Sequence, residues 1–240
     1  MQISIVVPAF NEERLLGGSL SQINRAIEAF HERAWTTQLI VCDNNSTDKT
    51  PDIARAAGAE VVFEPINQIS RARNRGAEAA TGDWLLFVDA DSHPSAELFS
   101  DVAAAIASGR CLAGGATVRL DEKRLVAGLV TMLWNFLSRW RRLLAGSFIF
   151  CEAATFREIG GFSQELFAAE ELELSQRLRR EAKEKGKKMV ILHRHPLVTS
   201  ARKLRLYTFG EYVCLFGRLA RGRRALTDRK ACYLWYDGRR

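Results

Sequence analysis

Short apolar runs alternate with amphipathic runs over the first hundred residues. The apolar runs have the length and the Val, Ile and Leu content of buried strands, and they are ISIVV (3–7), QLIVCD (38–43), EVVFE (60–64) and WLLFV (84–88). The runs between them space apolar residues as a helix does, and Asn11 is in position to cap the first helix. Such alternation is typical of a parallel sheet covered by helices on both faces. The pattern therefore predicts an α/β fold.

Small or acidic residues follow three of these strands directly. Pro8 and Ala9 end the first strand, Asp43 ends the second, and the triplet Asp89-Ala90-Asp91 follows the fourth. Open α/β sheets bind their ligands at the carboxyl ends of the strands. We therefore expect these residues to lie around one crevice.

The second half of the chain is less regular. The pattern predicts strands at 111–120, 147–156 and 189–195, and helices at 125–145 and 163–185. No internal repeat, low-complexity segment or linker interrupts the sequence. We therefore predict a single domain with an extended C-terminal part.

Charge is distributed unevenly along the chain. The formal net charge is +7, but residues 194–240 contain 12 lysines and arginines against three acidic residues. Such an extension suits nucleic acid, an anionic membrane or a phosphorylated substrate, and composition does not choose among them. No apolar run approaches the ~18 residues of a membrane span, and the N-terminus lacks a secretory signal pattern. Five widely spaced cysteines without a CxxC pair favour reduced thiols in a cytoplasmic protein.

The acidic triplet has the outline of a metal site. Asp89 and Asp91 bracket one small residue, and Mg²⁺ is commonly held by one or two carboxylates together with substrate phosphates. Asn11 and Glu12 stand at the first strand–helix junction, where polar side chains and helix-end amides face a ligand. The segment SRARNRG (70–76) adds three arginines. Each feature alone also fits solvent-exposed surface, and their combination favours a ligand site.

Four segments together resemble family 2 glycosyltransferases of the GT-A fold. They are SIVVPAFNEE, VCDNNSTDKT, ARNRGAEAATGDWLLFVDADS and GGFSQELFAAEELELSQRLRR, in that order, over residues 3 to about 180. The resemblance implies a Rossmann-like sheet flanked by helices. It also implies transfer of a sugar, with inversion, from a UDP- or GDP-sugar, aided by Mg²⁺ or Mn²⁺. On this basis, residues 1–193 form the transferase domain, with a nucleotide-binding half (1–95) and an acceptor half (96–193), and 194–240 form a basic extension.

The resemblance assigns donor-binding roles by position. The first nucleotide-contact loop matches Pro8, Ala9, Asn11 and Glu12. Asp43 matches the aspartate that reads the nucleobase, and Arg73 lies at the position near the donor phosphates and sugar. In the DXD motif, Asp89 faces the ribose and donor sugar, Ala90 lies between the two aspartates, and Asp91 binds the metal with Asp89 assisting.

The resemblance also indicates the catalytic base. The family places it in a Glu-Asp pair after a GGF turn, and here the pair is Glu170-Glu171. Glu171 therefore replaces the usual aspartate and reaches one methylene further. Crowding with Glu170 and Glu173 can raise the pKa of one carboxyl towards that of a useful base, whereas a helix N-terminus also favours acidic residues for purely structural reasons.

Two further candidates lie near the end of the pattern. His193 and His195 lie on one predicted strand, and we expect His193 to contribute a metal contact, although a lone histidine is more often structural. Arg202 presents a fork that matches phosphate oxygens, so we predict that it contacts the donor diphosphate.

Two other classes of function compete with this interpretation. One is a haloacid-dehalogenase-like phosphotransferase, whose nucleophilic aspartate also follows a strand, although there the motif follows the first core strand. The other is a nucleic-acid-binding protein that uses the basic extension, which contains no recognisable module for that purpose. We expect no nucleic-acid partner.

The sequence also suggests where the acceptor comes from. The helix predicted at 125–145 combines Trp134, Phe136 and Trp140 with basic residues, a composition suited to a lipid interface. The basic extension adds aromatic residues among its charges. We therefore expect a peripheral protein on the cytoplasmic face of an anionic membrane, with a lipid-linked acceptor and an acceptor wall near residues 125–150.

Overall fold

The protein is described from a computed structural model that covers residues 1–121, 125–202, 226–232 and 236. Its strands are β1 (Gln2–Ala9), β2 (Thr36–Asp43), β3 (Glu60–Phe63), β4 (Trp84–Val88), β5 (Ser92–His93), β6 (Cys111–Leu120), β7 (Phe148–Glu152) and β8 (Lys188–Thr199). Its helices are α1 (Leu16–His31), α2 (Thr50–Ala56), α3 (Ile69–Ala79), α4 (Ala96–Ala107), α5 (Leu125–Arg141), α6 (Ala153–Glu158) and α7 (Glu170–Glu184).

All eight strands form one mixed sheet in the order β3-β2-β1-β4-β7-β6-β8-β5. The pairs β1–β2, β2–β3 and β1–β4 are parallel, as the sequence pattern predicts. The strand β7 runs antiparallel to both β4 and β6. The strand order reverses between β1 and β4, because β2 and β3 lie on one side of β1 and β4 lies on the other. Ligands of open α/β sheets bind at such a reversal.

Helices cover both faces of the sheet. One apolar cluster joins α1 and α4 to the sheet around Phe30, Phe99 and Phe148, and the other joins α3, α6 and α7 to it around Phe87, Phe156 and Phe162. The central strand β4 is buried at every position because both clusters pack against it. The prediction of a sheet buried on two faces is therefore confirmed, and the fold is a single α/β domain.

Three local predictions were wrong. The strand predicted at 147–156 ends at Glu152, and Ala153 begins α6. The helix predicted at 163–185 begins only at Glu170. Asn11 does not cap α1, which begins at Leu16; instead Asn11 takes a left-handed backbone conformation (φ 52°), which asparagine tolerates better than most residues. The parallel arrangement predicted from the first hundred residues holds for β1 to β4, and the antiparallel β7 makes the whole sheet mixed.

The last strand of the domain extends further along the chain than the sequence analysis predicted. The boundary expected between residues 193 and 194 falls inside β8, which continues to Thr199 and pairs with β6 and β5. Most of the basic extension lies outside the described residues. Among the helices that are described, none combines the length and the apolar character that crossing a membrane requires.

Candidate active site

A cleft opens at the point where the strand order reverses. Seven of the residues predicted from the sequence line it, and they are Pro8, Ala9, Glu12, Asp89, Ala90, Asp91 and Arg202. The first three come from the end of β1 and the loop after it, and the acidic triplet follows β4. Arg202 comes from the segment after β8. The cleft therefore joins residues that are almost 200 positions apart in the chain.

Asn11 and Asp43 lie in the turns beside this cleft. The Asp43 carboxylate accepts a hydrogen bond from the backbone N–H of Ser46 (3.0 Å), and the Ser46 hydroxyl accepts one from the N–H of Asn11 (3.0 Å). The Asn11 side chain in turn accepts from the N–H of Thr47 (2.8 Å). Asp43 is also aligned with Ala9 across the β1–β2 pair. These bonds fix the loop after β1 against the loop after β2.

Arg202 is held by the acidic side of the cleft. Its guanidinium donates two hydrogen bonds of 2.7 Å to the Glu12 carboxylate and lies 3.8 Å from the Asp91 carboxylate. The backbone N–H of Ser200 donates to the Asp91 carbonyl (3.2 Å), which fixes the segment after β8 against the acidic triplet. Arg202 therefore lies in the cleft beside the acidic triplet, where it bridges two carboxylates.

Arg73 is buried behind Asp89, which lines the cleft. Its guanidinium donates to the carboxylates of Asp89 (2.9 Å) and Glu170 (2.8 Å) and to the Gly146 carbonyl (2.7 Å). Its carbon centre lies 5.2 Å from the centre of the Phe162 ring. A buried charge is tolerated when it is paired and hydrogen-bonded. Arg73 thus ties α3 to the end of β4 and to the start of α7.

Glu171 lies on the same side as Arg73, outside the lining of the cleft itself. It packs against Gly146, where an added Cβ would lie 3.2 Å from the Arg73 guanidinium and 3.5 Å from the Glu171 carboxyl carbon. Burial raises the pKa of Glu171 to about 8, and the neighbouring negative charge of Glu170 adds to this while Arg73 opposes it. In the Glu170-Glu171 pair, the Glu170 carboxylate is therefore held by Arg73, and Glu171 has a raised pKa of about 8.

The donor set in the cleft fits a hard divalent cation that shares its coordination with a ligand. Three carboxylates, those of Glu12, Asp89 and Asp91, face one guanidinium, that of Arg202, among the lining residues. Mg²⁺ and similar ions prefer oxygen ligands and often take only one or two carboxylates plus phosphate oxygens. In the described part of the chain, no cluster of three or more His, Cys, Asp or Glu side chains is arranged to hold a metal alone. Asp89 and Asp91 thus fit a cation whose other ligands come from substrate.

His193 is not brought to this cleft. It is exposed on β8 and lines a second cavity, between α5 and the ends of β6 and β8. Its neighbour His195 contacts the Asp101 carboxylate at 3.0 Å. The predicted metal role of His193 therefore has no support in the geometry, because its position on β8 directs it to a different cavity from Asp91.

The structure adds cleft residues that the sequence analysis did not identify. Asn44, Asn67 and Tyr236 line the cleft together with Phe10, Ile69 and Ala72. Asn44 directly follows Asp43, the aspartate predicted to bind the nucleobase, so the sequence analysis could have identified Asn44 from its position. Its amide donates to the carbonyls of Glu64 and Ile66 and so organises the loop after β3. Tyr236 gave no such signal, because only the tertiary fold brings it to the cleft.

This combination of a mixed sheet, a cleft at the strand reversal and an acidic triplet is typical of open α/β folds that bind a ligand at the strand reversal. The sequence model for glycosyl transferase family 2 matches residues 4–159. The chain therefore belongs to glycosyl transferase family 2.

Relatives with known sequences share this assignment. The chain is 32% identical over 149 residues to an uncharacterized glycosyltransferase of Mycobacterium tuberculosis, covering 58% of this chain and 61% of that one. It is 26% identical over 150 residues to a dolichol-phosphate mannosyltransferase of Pyrococcus furiosus, covering 60% of this chain and 38% of that one. The chain thus spans less than two thirds of the length of either relative.

Solved structures share the GT-A fold. A mannosyltransferase of Pyrobaculum calidifontis, in complex with GDP-Man and Mn²⁺, superposes with a TM-score of 0.67 at 17% identity, covering 97% of this chain and 69% of that one. Glucosyl-3-phosphoglycerate synthase of Mycobacterium tuberculosis, in complex with Mn²⁺, UDP-glucose and phosphoglyceric acid, gives a TM-score of 0.62 at 21% identity, covering 96% and 79%. At these identities the likeness establishes the fold.

The raised pKa of Glu171 predicts a pH-dependent stability. The folded protein retains a proton on Glu171 up to a pKa of about 8, whereas the unfolded chain releases it near 4.5. Glu171 therefore stabilises the fold fully below about pH 4.5, and this contribution is lost as the pH rises to about 8. Glu171→Gln cannot exchange this proton, so its free energy of unfolding should fall less over the same window.

Urea unfolding in EDTA, at several pH values across this window, measures the difference. Glu173→Gln is the matched control, because Glu173 is paired with Arg177 on the same helix (2.6 Å). Parallel stability curves for wild type and Glu171→Gln would show that the Glu171 pKa is not raised.

Proposed function

We propose that the protein transfers a sugar from a nucleoside-diphosphate donor to an acceptor hydroxyl, with inversion at the anomeric carbon and with the aid of Mg²⁺ or Mn²⁺. The observation that carries the proposal is the excess of carboxylates in the cleft. A nucleoside diphosphate would bring further negative charge to Glu12, Asp89 and Asp91, so a divalent cation is needed to join the two. Family membership supports the same reaction class.

The residues of the cleft have distinct binding roles in this proposal. Asp43 and Asn44 lie at the end of β2 and receive the nucleobase, which is uracil or guanine. Asp91 and Asp89 hold the cation, and Arg73 fixes the Asp89 carboxylate in place. A bound Mg²⁺ or Mn²⁺ would offset the charge that builds on the leaving nucleoside diphosphate. Arg202 lies close enough to Asp91 to contact the diphosphate once the donor is bound.

Glu171 is the proposed general base. It takes the proton of the acceptor hydroxyl as that oxygen attacks the anomeric carbon from the face opposite the leaving group. Glu170 is less suited to this role because its carboxylate is held by Arg73. A base works best when its pKa lies near the working pH, and the pKa of about 8 at Glu171 meets that condition.

The competing phosphotransferase is not favoured. In this fold the Asp89 motif follows the fourth strand, and the Asp89 carboxylate is bound by Arg73 instead of standing free as a nucleophile. Nucleic-acid binding is not favoured either, because the family match over residues 4–159 supports sugar transfer instead.

We further propose that the acceptor is lipid-linked and that the protein works at the cytoplasmic face of an anionic membrane. Helix α5 supports this, because large apolar side chains on it are about two-thirds exposed, and they are Leu129, Val130, Met132, Leu133, Phe136 and Trp140. The Arg141 guanidinium lies 4.5 Å above the Trp140 ring, and Arg139 is also exposed. Exposed apolar and aromatic groups beside arginines suit the lipid interface.

The metal role of Asp91 is tested by nucleotide binding. UDP or GDP with Mn²⁺ should raise the melting temperature of the wild-type protein, and EDTA should remove the effect, because a ligand that binds only the folded state stabilises it. Asp91→Asn should lose the metal-dependent part and keep its fold. Asp52→Asn, at an exposed pair with Arg55, is the matched control. If Asp91→Asn binds nucleotide with unchanged metal dependence, the cation site lies elsewhere.

The role of Glu171 is tested by turnover with the nucleotide sugar that binds. Glu171→Gln keeps the shape of the side chain but accepts no proton, so turnover should fall at least ~100-fold while donor affinity changes little. Glu170→Gln should instead lower stability, because it breaks the buried pair with Arg73. A larger loss of turnover in Glu170→Gln, at unchanged stability, would assign the base to Glu170.

Membrane association is tested by co-sedimentation with liposomes. The protein should bind vesicles that contain anionic lipid and not neutral ones, and salt should weaken binding, since each basic residue near such a surface contributes about 1 kcal/mol. Reversing the charge at Arg218, Arg221, Arg223 and Arg224, which lie outside the described residues, should abolish binding. Replacing Leu133 and Phe136 by Gln should weaken it.

Charge reversal at Arg14, Arg25 and Arg33, which are exposed on or near α1, is the matched control and should leave binding intact. A protein that stays in the supernatant with anionic vesicles at low salt would favour a soluble acceptor.

A further inference from the structure

The C-terminal extension contributes Tyr236 to the donor cleft in addition to Arg202. Tyr236 lines the cleft beside Ile69, Ala72 and Asp89, although it lies 34 positions beyond Arg202 in the chain. The family model ends at residue 159, so neither the family match nor the motifs assign a role to it. Its location in the wall of the cleft therefore calls for a function of its own.

Several contacts fasten this part of the chain to the domain. The Tyr236 ring packs edge-on against Phe167, with ring centres 5.5 Å apart, and the Arg229 guanidinium lies 5.4 Å from its centre. The backbone N–H of Phe167 donates to the Leu226 carbonyl (2.8 Å). Cys232 is fully buried in the same segment. Residues 226–232 thus pack against the loop that leads into α7, and they help to set the position of the Tyr236 ring.

The hydroxyl of Tyr236 is suited to binding a polar ligand. The backbone N–H of Ile69 donates to it in a long hydrogen bond of 3.4 Å. Burial raises the pKa of Tyr236, and the charge of nearby Glu170 raises it further, so the phenol stays neutral at physiological pH. A neutral hydroxyl can accept from Ile69 and donate to a ligand at the same time.

The surroundings of Tyr236 indicate which part of a donor it meets. Asp43 and Asn44 mark the nucleobase end of the cleft, and Asp89 and Asp91 mark the diphosphate. The Tyr236 hydroxyl contacts the backbone N–H of Ile69 at the start of α3, and the charges of Glu170 and Arg73 are near enough to act on it. The anomeric carbon must lie between the diphosphate and the proposed base on this same side.

We infer that Tyr236 binds the sugar of the nucleotide-sugar donor, with its ring forming the wall against which the sugar packs and its hydroxyl donating to a sugar oxygen. The inference rests on the proposed function. Aromatic rings with a polar tip provide such mixed surfaces, and a few placed polar groups in an apolar wall give a pocket its specificity. The C-terminal segment would then help to select the sugar, while the motifs in the first half of the chain bind the nucleotide.

Calorimetric titration in the presence of Mn²⁺ measures how much of the donor affinity comes from the nucleotide and how much from the sugar. The probes are UDP and GDP alone, and UDP-glucose and GDP-mannose, and the ratio of nucleotide-sugar affinity to nucleotide affinity is the readout. Tyr236→Phe keeps the ring and its packing, so nucleoside diphosphate affinity should stay within about twofold while nucleotide-sugar affinity falls about three- to ten-fold, as expected for one lost hydrogen bond. Tyr236→Ala should give a larger loss on the sugar alone.

Lys230→Gln is the matched control, because Lys230 is exposed in the same segment and lies outside the cleft lining. Its affinity ratio should equal that of wild type. Equal losses for nucleotide and nucleotide sugar in Tyr236→Phe, or no loss for either, would overturn the inference while leaving the proposed function standing. If the wild-type protein binds none of the four probes, the proposed function fails and the inference fails with it.

Discussion

The buried guanidinium of Arg73 is the interaction on which the site depends. It is one of the largest fully buried side chains in the described residues, and three separate parts of the chain supply its partners: Asp89 after β4, Gly146 before β7, and Glu170 at the start of α7. Removing water from a charge is costly, and the cost is offset only when good hydrogen bonds replace it. The fold therefore has to bring these parts together, and doing so places the acidic triplet and the Glu170-Glu171 pair on two sides of one side chain.

A second set of contacts joins the cleft to the cavity beside α5. The Asp121 carboxylate at the end of β6 accepts from the N–H of Ala201 (2.8 Å), and the Asp91 carbonyl accepts from the N–H of Ser200 (3.2 Å). The short segment that carries Arg202 is thus fixed between the two cavities. If part of an acceptor binds in the second cavity and shifts this segment, Arg202 would move relative to Glu12 and Asp91, which it contacts.

The sequence predicted the fold best where a continuous run of apolar residues ends in small or acidic residues. The strands β1 to β4 and the residues at their carboxyl ends could be predicted, because a continuous apolar run and the parallel topology together fix where its last residue points. Asn11 lies beside the cleft but does not cap α1, since a left-handed conformation competes with capping and the sequence pattern does not distinguish them. The strand β7 was predicted, but its antiparallel direction and the helix α6 after it were missed, because pairing between distant strands leaves little trace in local periodicity. Tyr236 was missed for the same reason, as only tertiary packing brings it to the cleft.

The order of the strands has a consequence for association between molecules. The sheet ends in its two shortest strands, β3 with four residues and β5 with two. Strands at a sheet edge expose unpaired backbone groups that can recruit another chain, and short edges limit this hazard. The glutamate that begins β3, Glu60, is exposed and adds charge to that edge. Growth of the sheet by strand addition is thereby disfavoured at the β3 end, and the exposed apolar side chains of α5 are the surface more prone to association when the protein is concentrated.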